Sequence, residues 1–224
     1  MTAAFSCAAV LFDMDGTLID SAASIERVWT EFAVGRGLPV AEVLAALPGR
    51  TARDILAGFL ASPEEVRAEA ARIRSTQIRS ADGIEPVPGA RELVAALPPG
   101  RWAVVTSAPG EVARARLAAA GLPVPAVLVA EESVTRGKPD PEGFARAAGE
   151  LGVAPSACVV FEDAEVGLRA GRAAGARCVG VGTAPPSSSA HAWVSDLRGL
   201  AVGRDTAGLL ELRLPVAAEL GELS

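Results

Sequence analysis

Residues Phe12–Ser21 read FDMDGTLIDS, so three carboxylates, one glycine and two hydroxyls occupy one short segment. The segment follows the run 8–12 (AAVLF), which is typical of a buried strand because it has neither charge nor alternation. Asp13 and Asp15 therefore come directly after a strand, and their like charges meet at the edge of a sheet. Such crowding is unfavourable unless a cation or a substrate compensates for it. The segment predicts a divalent-metal site and carboxylate chemistry at this edge.

Length and composition indicate a folded protein and exclude several classes of partner. The chain has 224 residues, 50% of them hydrophobic and 21% charged, with a formal net charge of -6. This length can bury a full core of one large or two small domains. No cluster of Lys and Arg stands out, which argues against a nucleic acid or an anionic membrane surface as partner. No apolar run approaches the roughly 20 residues of a membrane span, and no basic region precedes the first apolar run. We expect a cytoplasmic protein.

The cysteines and the single histidine argue against two further kinds of site. Cys7, Cys158 and Cys178 lie in or beside apolar runs without a Cys-x-x-Cys spacing, and His191 is the only histidine. This set disfavours a zinc site and Cys–His catalysis. Buried, reduced thiols are the expected state of all three cysteines.

The second half of the chain alternates between apolar runs and amphipathic segments. Helices are predicted over Glu111–Ala120, Pro141–Leu151 and Glu165–Ala174, the last ending at Gly175. This alternation predicts βαβ units and a parallel α/β sheet. The predicted core strands are Ala8–Phe12, Trp102–Val105, Val127–Val129, Cys158–Phe161 and Cys178–Val181, with Trp193-Val194 as the start of a possible sixth.

The connection between the first two predicted core strands runs from Asp13 to Trp102. It is too long for one crossover, since a whole βαβ unit takes about 30 residues. The excess is helical, over Ala22–Val34, Thr51–Leu60 and Pro63–Ile78, with Ser21 and Ser62 as N-caps of the first and third helices. We therefore expect an inserted helical cap over residues 18–84. The core domain would comprise residues 1–17 and 85–224.

The return from the insertion contains turn-forming residues. Asp82-Gly83 and the segment 86–88 are predicted to form a hinge, and Gly89–Leu97 the true crossover helix. The segment Pro185–Ser189 is predicted to be a short loop.

Polar residues also follow other strands of the predicted sheet. Thr106-Ser107 comes after Trp102–Val105, and Glu162-Asp163 comes after Cys158–Phe161. Lys138 lies in a loop that precedes a predicted helix. Ligands of open parallel sheets bind beyond the carboxyl ends of the strands. These residues are therefore expected to join the aspartates of the first strand.

Four motifs thus follow one another along the chain: the aspartate segment at 12–21, Thr106-Ser107, Lys138 and Glu162-Asp163. In kind and in order they resemble the motifs of the haloacid dehalogenase (HAD) superfamily. The resemblance implies a Rossmann-like parallel sheet core with an inserted α-helical cap. Within the helical-cap branch, the segments Trp102–Ser107 and Phe161–Ala164 resemble small sugar and polyol phosphatases of the 2-deoxyglucose-6-phosphatase and glycerol-3-phosphatase types. The implied activity is hydrolysis of a phosphate monoester.

The resemblance also implies a role for each motif residue. Asp13 resembles the nucleophile that forms an aspartyl-phosphate, and Asp15 the general acid/base. Thr106 resembles the phosphate-binding hydroxyl, and Lys138 the cation that offsets negative charge on the phosphoryl group and the nucleophile.

The implied cofactor is Mg²⁺, which prefers hard oxygen ligands. Asp13, Asp163 and the backbone carbonyl of Asp15 are the expected ligands, with help from Glu162. The remaining residues that are expected to bind the substrate from the core are Gly16, Thr17 and Ser107.

The segment Leu47–Thr51 resembles the cap loop that reaches into the active site of this branch. Gly49, Arg50 and Arg53 are expected to meet the part of the substrate beyond the phosphate. Pro48 stands where several relatives carry histidine, and where a phosphosugar mutase would carry lysine.

We therefore expect a Mg²⁺-dependent phosphatase of small sugar or polyol phosphates, as a monomer or weak dimer. The alternatives are a β-phosphoglucomutase-like mutase and a non-catalytic interaction module on the same fold.

Overall fold

A seven-stranded sheet lies at the centre of the computed structural model, which describes residues 4–81, 83–182, 189–215 and 219–220. The strands are β1 Ala4–Cys7, β2 Ala9–Phe12, β3 Ile19–Asp20, β4 Glu85–Pro86, β5 Trp102–Val105, β6 Val127–Val129, β7 Cys158–Glu162, β8 Arg177–Val181, β9 Ala192–Val194, β10 Ala201–Arg204, β11 Leu210–Arg213 and β12 Glu219–Leu220. The α-helices are α1 Ala22–Arg36, α2 Val40–Ala45, α3 Ala52–Ala57, α4 Pro63–Arg79, α5 Ala90–Ala96, α6 Gly110–Ala119, α7 Glu142–Glu150 and α8 Glu165–Ala173. Two 3₁₀ helices occupy Glu131–Ser133 and Pro155–Ala157.

The strand order of the main sheet is β12-β9-β8-β7-β2-β5-β6. Six neighbouring strands are parallel, and only β12 runs antiparallel to its neighbour β9. Phe12 pairs with Val104 of β5 and with Phe161 of β7, so these three strands end at one edge. The predicted parallel sheet and all six predicted strands are confirmed.

Both faces of the sheet are buried, which explains why its strands lack alternation. Val10 and Phe12 contribute to the apolar cluster on one face, where Leu117 of α6 also packs. Ala9 and Leu11 contribute to the cluster on the other face, with Phe144 of α7. The helices therefore cover the sheet from both sides, as parallel βαβ units require.

Helices α1–α4 follow one another in the chain between β3 and β4, and they form a separate helical layer. Their apolar side chains, including Val28, Trp29 and Phe32, make a cluster of their own. The two chain segments that connect this layer to the sheet pair with each other, Ile19 opposite Pro86. The side chains of these connecting segments, such as Ile19, belong to the cluster of the main sheet.

Three helices have a serine or threonine as their N-cap residue, and two of these residues, Ser21 and Ser62, were predicted. Thr51 accepts a hydrogen bond from the backbone N–H of Asp54, and Ser62 accepts one from the N–H of Glu65. Ser21 occupies the N-cap position of α1, as predicted, but its hydroxyl makes no capping hydrogen bond. Its hydroxyl is instead hydrogen-bonded to an aspartate of the first motif, as described below.

The small antiparallel sheet β1-β11-β10 and helix α2 were not predicted. Their segments are short, and pairing between β1 and β11 joins residues at opposite ends of the chain. In β11, Leu210 and Leu212 alternate with more exposed residues, which is the period of a half-buried strand. Asp82 of the predicted hinge and residues 185–188 of the predicted loop lie outside the described residues.

The three cysteines are free and buried, as expected. Burial raises the pKa of the Cys7 thiol to about 12. In the described part of the chain, no helix has both the length and the apolarity of a membrane span.

Candidate active site

A cavity of about 510 Å³ lies between the carboxyl ends of β2, β5 and β7 and the helical layer. The parallel register explains its position, because Asp13, Thr106 and Glu162 stand at or just beyond the ends of three adjacent strands. The side chains that line it from the sheet side include Asp13, Asp15, Thr106, Ser107, Arg116, Glu162 and Asp163; those from the helical layer include Ile25, Glu26, Trp29, Leu44, Leu47, Arg50 and Gln77.

A buried lysine joins two of the predicted carboxylates. The Nζ atom of Lys138 lies 2.5 Å from Oδ1 of Asp13 and 2.5 Å from Oε1 of Glu162. The side chains of all three residues are buried, with exposed fractions of 6%, 9% and 1%. Burial alone would lower the pKa of Lys138, but the two carboxylates outweigh burial and raise it. Lys138 is therefore an ammonium ion held against the predicted nucleophile.

Three carboxylates converge beside this lysine. Oxygen atoms of Asp13, Glu162 and Asp163 all lie within 4.8 Å of one another. Burial, with the charges of Glu162 and Asp163, raises the pKa of Asp13 well above its usual range, and Lys138 offsets only part of this. Burial and the charge of Glu162 likewise raise the pKa of Asp163 to about 7, although its side chain is accessible.

This charge balance fits a divalent cation. When all three carboxylates are ionised, they face one ammonium group, which leaves two negative charges to be compensated; the raised pKa values of Asp13 and Asp163 reflect this excess. The donors are hard oxygen atoms, the ligands that Mg²⁺ prefers. Gly16 supports the same arrangement, since its φ is +86° and a Cβ there would collide with the Asp163 carboxylate.

The Asp15 carboxylate is held apart from this cluster. Its Oδ1 accepts hydrogen bonds from Oγ of Ser21 at 2.5 Å and from Nη1 of Arg116 at 2.8 Å. Arg116 lies on α6 and is only 2% exposed. We did not predict Arg116. Its signal in the sequence is that it follows Val112 and Ala113 by four and three positions, which puts a charge on the buried face of the helix.

The predicted hydroxyls occupy different environments. Thr106 is buried, and its Oγ1 accepts a hydrogen bond from the N–H of Ala108, so its own proton can be donated elsewhere. The Ser107 hydroxyl donates to the carbonyl of Gly49 at 3.0 Å and thus links the sheet to the helical layer. Thr17 is fully buried and does not line the cavity. Its hydroxyl makes no hydrogen bond within the described part of the chain.

The three residues that were expected to contact the substrate beyond its phosphate, Gly49, Arg50 and Arg53, lie in different environments. Gly49 contacts the sheet through Ser107, and its φ is +68°. Arg50 lines the cavity, and its guanidinium donates to the carbonyl of Asp54 at 2.9 Å. The Arg53 side chain is 70% exposed, lies 3.9 Å from Glu131 and is not part of the cavity lining.

Comparisons with known proteins find relatives of this chain among named phosphatases. Hexitol phosphatase A of Escherichia coli is 43% identical over 179 residues, which cover 78% of this chain and 83% of that protein. The 2-deoxyglucose-6-phosphate phosphatase 1 of Saccharomyces cerevisiae is 30% identical over 200 residues, covering 80% and 81%.

A crystal structure of β-phosphoglucomutase from Clostridium difficile matches with a TM-score of 0.76 at 23% identity, covering 85% of this chain and 92% of that one. At this identity the match shows the fold alone, and it confirms the predicted α/β core.

The haloacid dehalogenase-like hydrolase family model matches residues 7–175, which include every motif of the site. The predicted enzyme class, a phosphoric monoester hydrolase, is confirmed, because the Escherichia coli and Saccharomyces cerevisiae relatives are phosphatases. The sequence motifs, the site at the sheet edge and these matches lead to one conclusion: the chain belongs to the haloacid dehalogenase-like hydrolase family.

Proposed function

We propose that this protein is a Mg²⁺-dependent phosphatase that hydrolyses phosphate monoesters of small sugars or polyols. The observation that carries the proposal is the contact of Lys138 with Asp13 and Glu162 beside the carboxylate cluster. A buried nucleophile, an adjacent cation and a candidate metal site are what phosphoryl transfer requires, since it depends mostly on positioning and charge neutralisation.

The first step would be attack of an Asp13 carboxylate oxygen on phosphorus. Lys138 already occupies Oδ1, so Oδ2 is the oxygen proposed to attack. The new bond joins this oxygen to phosphorus, and the bond from phosphorus to the ester oxygen breaks. Asp15 gives its proton to that departing oxygen, so that an alcohol leaves rather than an alkoxide.

The second step would release phosphate and restore the enzyme. Asp15, now a carboxylate, takes a proton from water as the water oxygen attacks phosphorus. The bond between phosphorus and Asp13 breaks, which returns the carboxylate and frees inorganic phosphate. Two easier steps thus replace one difficult displacement.

Mg²⁺ would be held by Asp13, Asp163 and the backbone carbonyl of Asp15, with help from Glu162, and would supply positive charge to the phosphoryl oxygens. The Lys138 ammonium and the Thr106 hydroxyl would bind the same phosphoryl group from the sheet side. Gly16 would let the backbone approach the phosphoryl oxygens closely. A Cβ at this position would also displace the Asp163 carboxylate.

The rest of the cavity suits a small polyhydroxylated leaving group. Trp29 and Leu47 supply apolar walls, while Glu26, Arg50 and Gln77 supply polar groups for hydroxyls. A relative at 43% identity is named a hexitol phosphatase, which supports a polyol or sugar ester. Pro48 has no amine to serve a mutase, which favours hydrolysis over intramolecular transfer.

We propose that residues 18–84 form a cap over a core made of residues 1–17 and 85–224. The apolar cluster of α1–α4 gives this unit its own packing, and Ser107 and Gly49 join it to the core at the cavity. Gly83, with φ of +80°, and the segment 86–88 would serve as the hinge for substrate entry and closure.

The test is release of inorganic phosphate from a panel of hexitol, glycerol and hexose phosphates with Mg²⁺. We expect turnover of at least one sugar or polyol ester by the wild-type protein and almost none by Asp13→Asn. A bisphosphate requirement with isomerised product would indicate a mutase. No release from any ester in the presence of Mg²⁺ would refute the proposal.

A further inference from the structure

Arg116 is a buried cation, and packing alone does not explain why a charged side chain stands at this position. It is 2% exposed, lines the active-site cavity, and forms an ion pair with Asp15. Its Nε atom is buried and makes no hydrogen bond among the described residues. Burying a charge in this way costs desolvation energy that one carboxylate contact offsets only in part. Arg116 is therefore not explained by a gain in stability, and its one charged partner among the described residues is the proposed acid/base.

The contacts of the Asp15 carboxylate are asymmetric. Both donors, Oγ of Ser21 and Nη1 of Arg116, bind Oδ1. No hydrogen bond to Oδ2 is found in the described part of the chain, and the side chain is 22% exposed in the cavity wall. One oxygen is thus held, and the other is left free.

The two donors come from different parts of the molecule. Ser21 directly precedes α1 of the helical layer, and Arg116 lies on α6, which packs on the sheet. The carboxylate is thus held by one donor beside the helical layer and by one donor on a helix that packs on the sheet. A rotation that brought Oδ1 toward the substrate would break both hydrogen bonds.

We propose that Arg116 is a positioning residue that, with Ser21, orients Asp15 so that Oδ2 meets the leaving-group oxygen. This inference rests on the proposed function, in which Asp15 carries a proton on Oδ2 and gives it to that oxygen; Oδ1 can accept the hydrogen bonds from Ser21 and Arg116 in both protonation states. Proton transfer needs the two oxygen atoms within hydrogen-bond reach. A displacement of about 1 Å can cost about 10²-fold in rate.

The role predicts a dependence on the leaving group. A sugar or polyol alkoxide is a poor leaving group and needs the proton from Asp15. The p-nitrophenolate anion is stable and leaves without one. Because kcat/KM reports the steps up to formation of the phosphoenzyme, loss of Arg116 should affect kcat/KM for the first kind of ester only.

The experiment compares kcat/KM for the best sugar or polyol ester of the wild-type enzyme with that for p-nitrophenyl phosphate. We expect Arg116→Met to lower the first by about 10²-fold, the size of a misplaced proton donor. We expect the second to change by less than about threefold, and Arg116→Lys to recover part of the loss. Arg114→Met is the matched control, since Arg114 is an exposed arginine on the same helix.

A double-mutant cycle shows whether Arg116 acts through Asp15. The Asp15→Asn/Arg116→Met enzyme should be no slower on the sugar or polyol ester than Asp15→Asn alone, because the group to be positioned is already lost. Additive losses, or equal losses for both esters, would overturn the inference. If Arg116→Met does not fold, Arg116→Lys and Ser21→Ala carry the same comparison, and equal losses there overturn it as well.

The outcome is separable from that of the proposed function. A wild-type protein that hydrolyses neither ester refutes the phosphatase itself. A wild-type phosphatase whose Arg116 variants lose activity equally on both esters leaves the function intact and refutes only the positioning role.

Discussion

Replacement of Lys138 by methionine tests the centre of the site, because methionine keeps much of the side-chain volume and removes the charge. Lys138 makes two hydrogen bonds to carboxylates, each 2.5 Å long, within a nearly fully buried set of side chains. Hydrogen bonds to charged groups contribute about 1.5–3 kcal/mol each, so two of them contribute roughly 3–6 kcal/mol. Removal of one partner of a buried ion pair costs a similar amount, about 3–5 kcal/mol.

We therefore expect Lys138→Met to lower the free energy of unfolding by about 3–5 kcal/mol, or Tm by roughly 6–20 °C for a chain of this size. We also expect kcat to fall by about 10²–10³, since an electrostatic partner of the transferring group is lost. The assays are denaturant unfolding in EDTA and release of phosphate with Mg²⁺.

Arg136→Met is the matched control in the same loop. Arg136 pairs with Asp140 at 3.0 Å, but its side chain is 72% exposed. Exposed pairs contribute about 0–1 kcal/mol, so this variant should remain close to wild type. If Lys138→Met were no less stable than Arg136→Met and kept a tenth or more of the activity, the charge argument for the site would be wrong.

Asp13→Asn should remove nearly all turnover and leave the fold intact, because an amide is a far poorer nucleophile; circular dichroism and phosphate release check this, and a tenth of wild-type activity, with deamidation excluded, would contradict it. EDTA should abolish activity, Mg²⁺ should restore it and Ca²⁺ should substitute badly, because its larger and looser coordination misplaces the reacting groups; full activity in chelator would refute the metal site. Arg50→Ala should lower kcat/KM by a factor equivalent to about 1.5–3 kcal/mol for those esters whose leaving group it binds, whereas exposed Arg67→Ala should leave their ranking unchanged. An equal fall for every ester would assign Arg50 to the common phosphate or to the fold.

The main strands and the motif residues at their ends could be predicted because their signals are local. An uncharged apolar run such as 102–105 identifies a strand that is buried on both faces. The parallel pairing rule then brings the ends of neighbouring strands together, which is why Asp13 and Glu162 were expected at one site although they are distant in the chain. The residue types at those ends were enough to indicate a divalent metal and carboxylate chemistry, and their resemblance to the motifs of the family indicated phosphoryl transfer.

The partners of individual side chains could not be read in this way, because they depend on how separate elements pack. Arg116 and Asp15 lie 101 positions apart, and their contact requires α6 to pack beside the first motif. Ser21 has the sequence features of a helix cap, yet the neighbouring Asp15 carboxylate is its actual partner. Arg53 is near the cap loop in sequence but lies outside the cavity, since the direction of α3 is set by its packing on α4. Local periodicity and motif order thus determine the elements and their chemistry, whereas tertiary packing determines which charges meet, because electrostatic contacts depend on distance in space and not along the chain.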